Sequence, residues 1–198
     1  TGWSMMRRIL GLLACGAVVL SLVACTPTGC AIGDTQDSMP SVAHDSTHKT
    51  DITVGFVGST DTAADKKAIY ALADDTLNVY YASLDTSGDS ETADKIAATA
   101  QQGITDFVDR AVKIVIISGI DVTDANRDSW NQALTNAREA GIPVALLNPK
   151  HAPEDELLYA AILNTDDAAS AKSVSIADAV ITITRDEPHD RTIAVATE

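Results

Sequence analysis

The chain has 198 residues, with 28 acidic against 14 basic side chains and a formal net charge of −14. So acidic a surface lacks the basic footprint that nucleic acid requires, and it disfavours broad adhesion to anionic headgroups. The segment from Thr50 to Glu198 is long enough for one domain with a sizeable core.

The N-terminal stretch runs Met5-Met6-Arg7-Arg8, then apolar from Ile9 to Val23, and ends Leu22-Val23-Ala24-Cys25. A short basic start, an apolar run shorter than the ~20 residues of a membrane span, and a small-residue cleavage site describe a secretory signal peptide over residues 1–24. Thr1 to Ser4 precede the paired methionines and are read as extraneous. The Leu-Val-Ala-Cys ending resembles the lipobox of bacterial lipoproteins. That resemblance implies lipidation at Cys25 and an extracytoplasmic protein anchored to the cell membrane by its lipid. Leu12-Leu13-Ala14-Cys15 is a second such match, but only a few apolar residues precede it. An uncut N-terminal anchor is the alternative. Removal of the leader takes Arg7 and Arg8 and no acid, so 12 basic side chains would face 28 acidic ones, near −16. Cys30 then has no internal partner, and the fold must rely on its core rather than on a disulfide.

Residues 25–50 are rich in Thr, Ser, Asp, Gly and Pro and lack apolar periodicity, which predicts a flexible tether. His44, Asp45 and His48 lie in it without the preformed geometry or ligand number of a metal site, and neither metal nor cofactor is expected.

From Ile52 the pattern becomes regular. Ile52 to Val57 predicts a strand, and Ala63 to Asp74 a helix with Ala64, Ala68, Ala71 and Leu72 inward. Leu77 to Leu84 predicts a second strand. A helix over Ser90 to Gln102 follows, with Ala93, Ile96, Ala97 and Ala100 on one face and Gly103 as its stop. Val112 to Ser118 is nearly all Val and Ile, as in a strand buried on both faces. Asp124 or a neighbour caps the next helix, whose stripe is Trp130, Ala133, Leu134 and Ala137 and whose end is Gly141. Ile142 to Leu147 predicts a further buried strand, with Pro143 tolerated near its start. Tyr159 to Leu163, a helix near Asp167 to Ala179, and a strand from Thr192 to Ala196 continue the alternation. Such βαβ arithmetic predicts an α/β fold: a doubly wound, Rossmann-like parallel sheet with helices on both faces.

Three motifs carry a family resemblance. They are Ala100-Gln101-Gln102-Gly103-Ile104-Thr105, Ile116-Ile117-Ser118-Gly119-Ile120-Asp121, and Ala137-Arg138-Glu139-Ala140-Gly141-Ile142-Pro143-Val144. In this order and spacing, with Thr165-Asp166-Asp167-Ala168-Ala169 after them, they resemble the first lobe of type I periplasmic solute-binding proteins of sugar ABC transporters. The resemblance implies residues 51–184 as an N-terminal ligand-binding lobe and 185–198 as a crossover into a second lobe that this sequence lacks. It implies a small-molecule ligand, a sugar, and an ABC transporter permease as partner. Independently of family, ligands of open parallel sheets sit beyond the carboxyl ends of the strands. Those ends carry Ser59, Thr60 and Asp61, then Asp85, then Asp121, then Asn148 and Lys150. Asp166 joins the candidates through the resemblance. Capping of the following helix is the competing reading for Ser59, Thr60 and Asp121.

The chain departs from the family where an arginine commonly follows the ligand-binding aspartate; here Asn148 precedes Pro149, and Lys150 lacks the planar fork of a guanidinium. Asp61 to Lys67 contains no aromatic ring to stack on a sugar, and Trp130 is assigned to the core. A ligand sensor or receptor-partner protein using the same lobe, and a non-functional truncated remnant, are the other readings. No Gly-rich phosphate loop, no Gly-x-Ser-x-Gly elbow and no metal cluster points to an enzyme, and His151 and His189 stand isolated in the sequence.

Overall fold

A computed structural model describes residues 48–84, 93–166 and 172–197. The leader, Cys25, most of the tether and Asp85 lie outside the described residues. Seven strands form one sheet: β1 (Thr53–Val57), β2 (Asn78–Ala82), β3 (Ile114–Ser118), β4 (Val144–Leu147), β5 (Ala161–Asn164), β6 (Val174–Ser175) and β7 (Thr192–Ala196). Their order is β2-β1-β3-β4-β5-β7-β6, and each neighbouring pair is parallel. The helices are α1 (Thr62–Asp74), α2 (Ala93–Asp109), α3 (Arg127–Glu139) and α4 (Ile176–Thr184). This is the doubly wound parallel α/β architecture that the alternation implies.

The period of two along the strands sorts side chains between two cores. Val54, Phe56, Ile114, Ile116, Ala145 and Leu147 face α1 and α4, where Leu72, Ile176 and Val180 cover them. Val57, Val115, Ile117, Val144 and Leu146 face α2 and α3, under Ile104, Phe107, Trp130 and Leu134. All residues of β3 and β4 are buried, as their unbroken apolar runs require in a sheet covered on both sides. Each fully buried Ile, Leu or Val side chain there contributes about 1.5–3 kcal/mol. Gly55 is what lets α2 approach β1: a Cβ at that position would stand 2.5 Å from Cγ of Phe107. Glycine in a strand interior marks such close contacts.

Several sequence expectations shift. Gly103 is no helix stop; α2 continues to Asp109, and Gly103 is buried against β2, where a Cβ would lie 3.1 Å from that of Ala82. Close packing, rather than a left-handed cap, is its reason. Gly141 does end α3, at φ +73°. The cap of α3 is Asn126 rather than Asp124. On α1 the buried positions are Asp65, Ala68 and Leu72, so the inner stripe holds a carboxylate and excludes the exposed Ala64. The helix expected near residues 167–179 begins at Ile176, because Ser175 caps it by accepting from the Asp178 amide at 2.9 Å. A 3₁₀ turn over Glu156–Leu158 precedes β5 and had no sequence signal. Residues 185–198 carry β7, which joins this sheet between β5 and β6 instead of opening another. The unpaired edge of β5 accepts it in parallel register, Ile162 to Thr192, and Arg191 secures the junction by donating to the carbonyl of Tyr159 at 2.8 Å.

Candidate functional site

The winding of the sheet reverses between β1 and β3. The chain leaves β1 through α1 on one face and enters β3 from α2 on the other, so the loops after these strands part and leave a crevice. Residues 58–61 follow β1. Asp61 caps α1, accepting from the Ala64 amide at 3.1 Å. Ser59 is bound by a residue the sequence reading passed over: Asp65 accepts from its amide at 2.6 Å and from its hydroxyl at 3.0 Å. The same hydroxyl accepts from the Asp61 amide at 3.0 Å. Asp65 is fully buried, and a buried carboxylate is retained where charge-assisted hydrogen bonds compensate its lost hydration. The loop is thereby fixed from beneath, with Thr60 at its exposed tip.

Opposite it, Gly119 follows β3 at φ +61°, and a Cβ there would meet that of Ser59 at 3.2 Å. The two loops therefore touch through a glycine that is needed on both conformational and steric grounds. Asp121 caps no helix. Its carboxylate pairs with His151 Nδ1 at 2.7 Å, and its backbone forms a parallel bridge with the same residue. His151, isolated in the sequence, thus ties the β4 loop to the β3 loop. Asn126 fastens the β3 loop further, accepting from the Thr123 amide at 2.7 Å and donating to the Asp121 carbonyl at 3.2 Å.

After β4, Asn148 adopts φ +45°, a left-handed conformation that Asn tolerates better than most residues. Its amide group is committed to Thr165 at the end of β5: Nδ2 donates to Oγ1 at 2.7 Å, and Oδ1 accepts from the Thr165 amide at 2.9 Å. Each amide atom keeps one further hydrogen-bonding position.

The seven candidate residues fall into three groups. Asp61 and Asn148 line a cavity of about 590 Å³, with Lys67, Ser118, Thr165, Leu147, Ala196 and Thr197. Ser59, Thr60, Asp121 and Lys150 line a second cavity of about 130 Å³ on the α2–α3 side, whose remaining walls are largely apolar. Asp166 is exposed and lines neither; its amide donates to Asn164 Oδ1 at 2.8 Å. Ser118, buried at the end of β3, lines both cavities. Trp130 is in the core as expected, and its ring also closes the smaller cavity. Asp65 could have been found from its place at the spacing of Ala68 and Leu72 on the inner face. His151 could not, since its contact depends on which two strand ends lie side by side.

Among the described residues no helix is long and apolar enough to cross a membrane, and no group of three His, Cys, Asp or Glu could hold a metal.

No protein-family model and no curated protein matches the chain. Among solved structures it is similar to a galactofuranose-binding protein, at 21% identity over 61% of this chain and 38% of that one, with a TM-score of 0.44. The periplasmic binding component of an arabinose ABC transporter from Shewanella sp. ANA-3, bound to arabinofuranose, aligns at 15% identity over 72% of this chain and 54% of that one, with a TM-score of 0.41. A Burkholderia pseudomallei protein described as pilus assembly-related aligns at 18% identity over 73% of this chain and 97% of that one, with a TM-score of 0.45. The chain spans under two-fifths of the galactofuranose-binding protein's length. These likenesses concern the arrangement of strands and helices and define no ligand.

Proposed function

We propose that this chain is a solute-binding lobe that works outside the cytoplasm, held at the membrane by a lipid on Cys25 and delivering a sugar to an ABC importer. The observation that carries the binding role is the 590 Å³ crevice at the carboxyl ends of β3, β4, β5 and β7. Its size falls within the roughly 300–1,000 Å³ of small-molecule sites. Its polar lining, Asp61, Lys67, Ser118, Asn148, Thr165 and Thr197, offers donors and acceptors with one acid and one base. Such a set suits a neutral polyhydroxylated ligand, since each hydroxyl both donates and accepts. The sugar identity, the importer and the anchor are supported by the motif resemblance over residues 51–180 and by the leader with its Leu-Val-Ala-Cys ending.

The test is thermal stabilisation of the full gene product by a panel of mono- and oligosaccharides. A ligand at one hundred times its Kd adds about 2.7 kcal/mol, and Asp61→Ala should weaken binding without unfolding the chain. Absence of stabilisation by every sugar in the panel would overturn the binding role. Mass spectrometry of the membrane fraction tests the anchor separately: an acylated N-terminal Cys25 is expected, and an intact leader on a cytosolic product refutes it.

A further inference from the structure

The smaller cavity has a chemistry of its own, and the inference drawn from it does not depend on the sugar reading. Its walls are Ile96, Ala97, Ala100, Ile117, Ile120 and Trp130, from α2, β3 with its loop, and α3. At about 130 Å³ it is comparable with the ~150 Å³ apolar cavity that stays dry and binds benzene. Trp130 is 2% exposed, and its indole Nε1, fully buried, has no hydrogen-bond partner. Buried tryptophan N–H groups usually find an acceptor, and an orphaned donor beside an unfilled apolar cavity marks a place where an acceptor is missing. Ala97 and Ala100 keep the space open, where longer side chains on α2 would fill it. Ser59, Thr60, Asp121 and Lys150 supply a polar lining from the loops, with one negative and one positive side chain.

We infer that this cavity is a binding subsite for a compact, uncharged apolar group, a ring or branched alkyl, that carries one hydrogen-bond acceptor for the Trp130 indole. The rest of such a ligand reaches the polar lining at Thr60 and Lys150. The apolar walls exclude a charged occupant, because they offer no hydrogen bonds to replace its hydration.

Cyclohexanone and benzene are suitable probes, one with an acceptor and one without. In the ¹⁵N-labelled full chain the indole N–H resonances of Trp130 and Trp3 serve as reporter and control. The Trp130 resonance should move saturably with both probes, downfield with cyclohexanone, which should bind at least threefold more tightly, while Trp3 stays still. In W130F, thermal stabilisation by cyclohexanone should fall to that given by benzene. Ala97→Leu, which fills the space, should abolish binding of both probes; Ala100→Val serves the same purpose should the larger change disturb folding. The inference is overturned if Trp130 shows no saturable movement, if the cavity-filling variants respond as the parent does, or if a long-lived water held by the indole N–H is not displaced.

Discussion

Asp65→Ala is the substitution whose consequence the structure states most sharply. The side chain is fully buried and accepts two hydrogen bonds from Ser59, at 2.6 and 3.0 Å. Hydrogen bonds to a charged group contribute about 1.5–3 kcal/mol each, so the gross loss is roughly 3–6 kcal/mol. Two effects offset part of it: removal relieves the desolvation of a buried carboxylate, and water can reach the half-buried Ser59 amide. A net loss of about 2–4 kcal/mol remains, and at about 2–4 °C per kcal/mol for a domain of this size the midpoint should fall by roughly 5–15 °C. Ser59→Ala removes the hydroxyl but keeps the amide, and should cost about 1 kcal/mol. The two changes share a bond, so the double variant should lose about 1 kcal/mol less than their sum. Urea unfolding followed by circular dichroism measures all three. A stability for Asp65→Ala within about 0.5 kcal/mol of the parent, or strict additivity with Ser59→Ala, would refute the clamp.

Gly55→Ala should destabilise the chain by at least about 1–3 kcal/mol, the range for overpacking, because its Cβ would fall 2.5 Å from Phe107 Cγ; adding Phe107→Leu should recover part of the loss in the same unfolding assay. Asn148→Ala breaks both bonds to Thr165 and places an alanine at φ +45°, for a combined cost of about 2–4 kcal/mol. Asn148→Gly keeps the backbone freedom and should lose less; an equal loss would mean that the left-handed conformation is not what matters. Tyr159 should ionise above its ordinary value, first because burial disfavours the phenolate, then because Glu156 repels it, with Arg191 opposing both. The folded chain therefore keeps this proton longer than the unfolded one, so the stability tied to neutral Tyr159 is intact below about pH 10 and falls as pH rises from there through the folded value. Phenolate absorbance should show one late-titrating tyrosine, and Tyr159→Phe should flatten the alkaline fall; tyrosines that all titrate together would contradict it.

What the sequence revealed and what it hid follow from the range of the interactions. β3 and β4 could be read from unbroken Val, Ile and Leu runs, because burial on both faces is a local compositional demand. α3 could be read for the same reason, its stripe of Trp130, Ala133, Leu134 and Ala137 being wholly buried. Gly103 misled because glycine serves two purposes, a left-handed cap and a close contact, and only the position of β2 distinguishes them. Asp65 was hidden by the habit of placing charges outside; the partner that makes its burial tolerable, Ser59, lies six residues earlier and across a turn. The Asp121–His151 and Asn148–Thr165 contacts join loops 30 and 17 residues apart, and neither separation has a signature until strand order is known.

Strand order also explains why one set of candidate residues became two. Residues at the ends of adjacent strands would be expected to meet, yet Ser59 and Asp61, two positions apart, line different cavities. The reversal of winding at β1 sends α1 to one face, while α2 and α3 lie on the other. A loop starting there must turn away from its neighbour, and its successive side chains point to opposite sides of the sheet edge. Ser118, at the last position of β3, is the partition between them. Substitutions at Asp61 or Asn148 should therefore alter binding in the larger crevice and leave the Trp130 indole resonance unmoved, while Ala97→Leu should do the reverse. Ser118 alone should couple the two. A chain in which changes on one side always perturbed the other would instead possess one continuous site, and the division derived from the sheet's winding would be wrong.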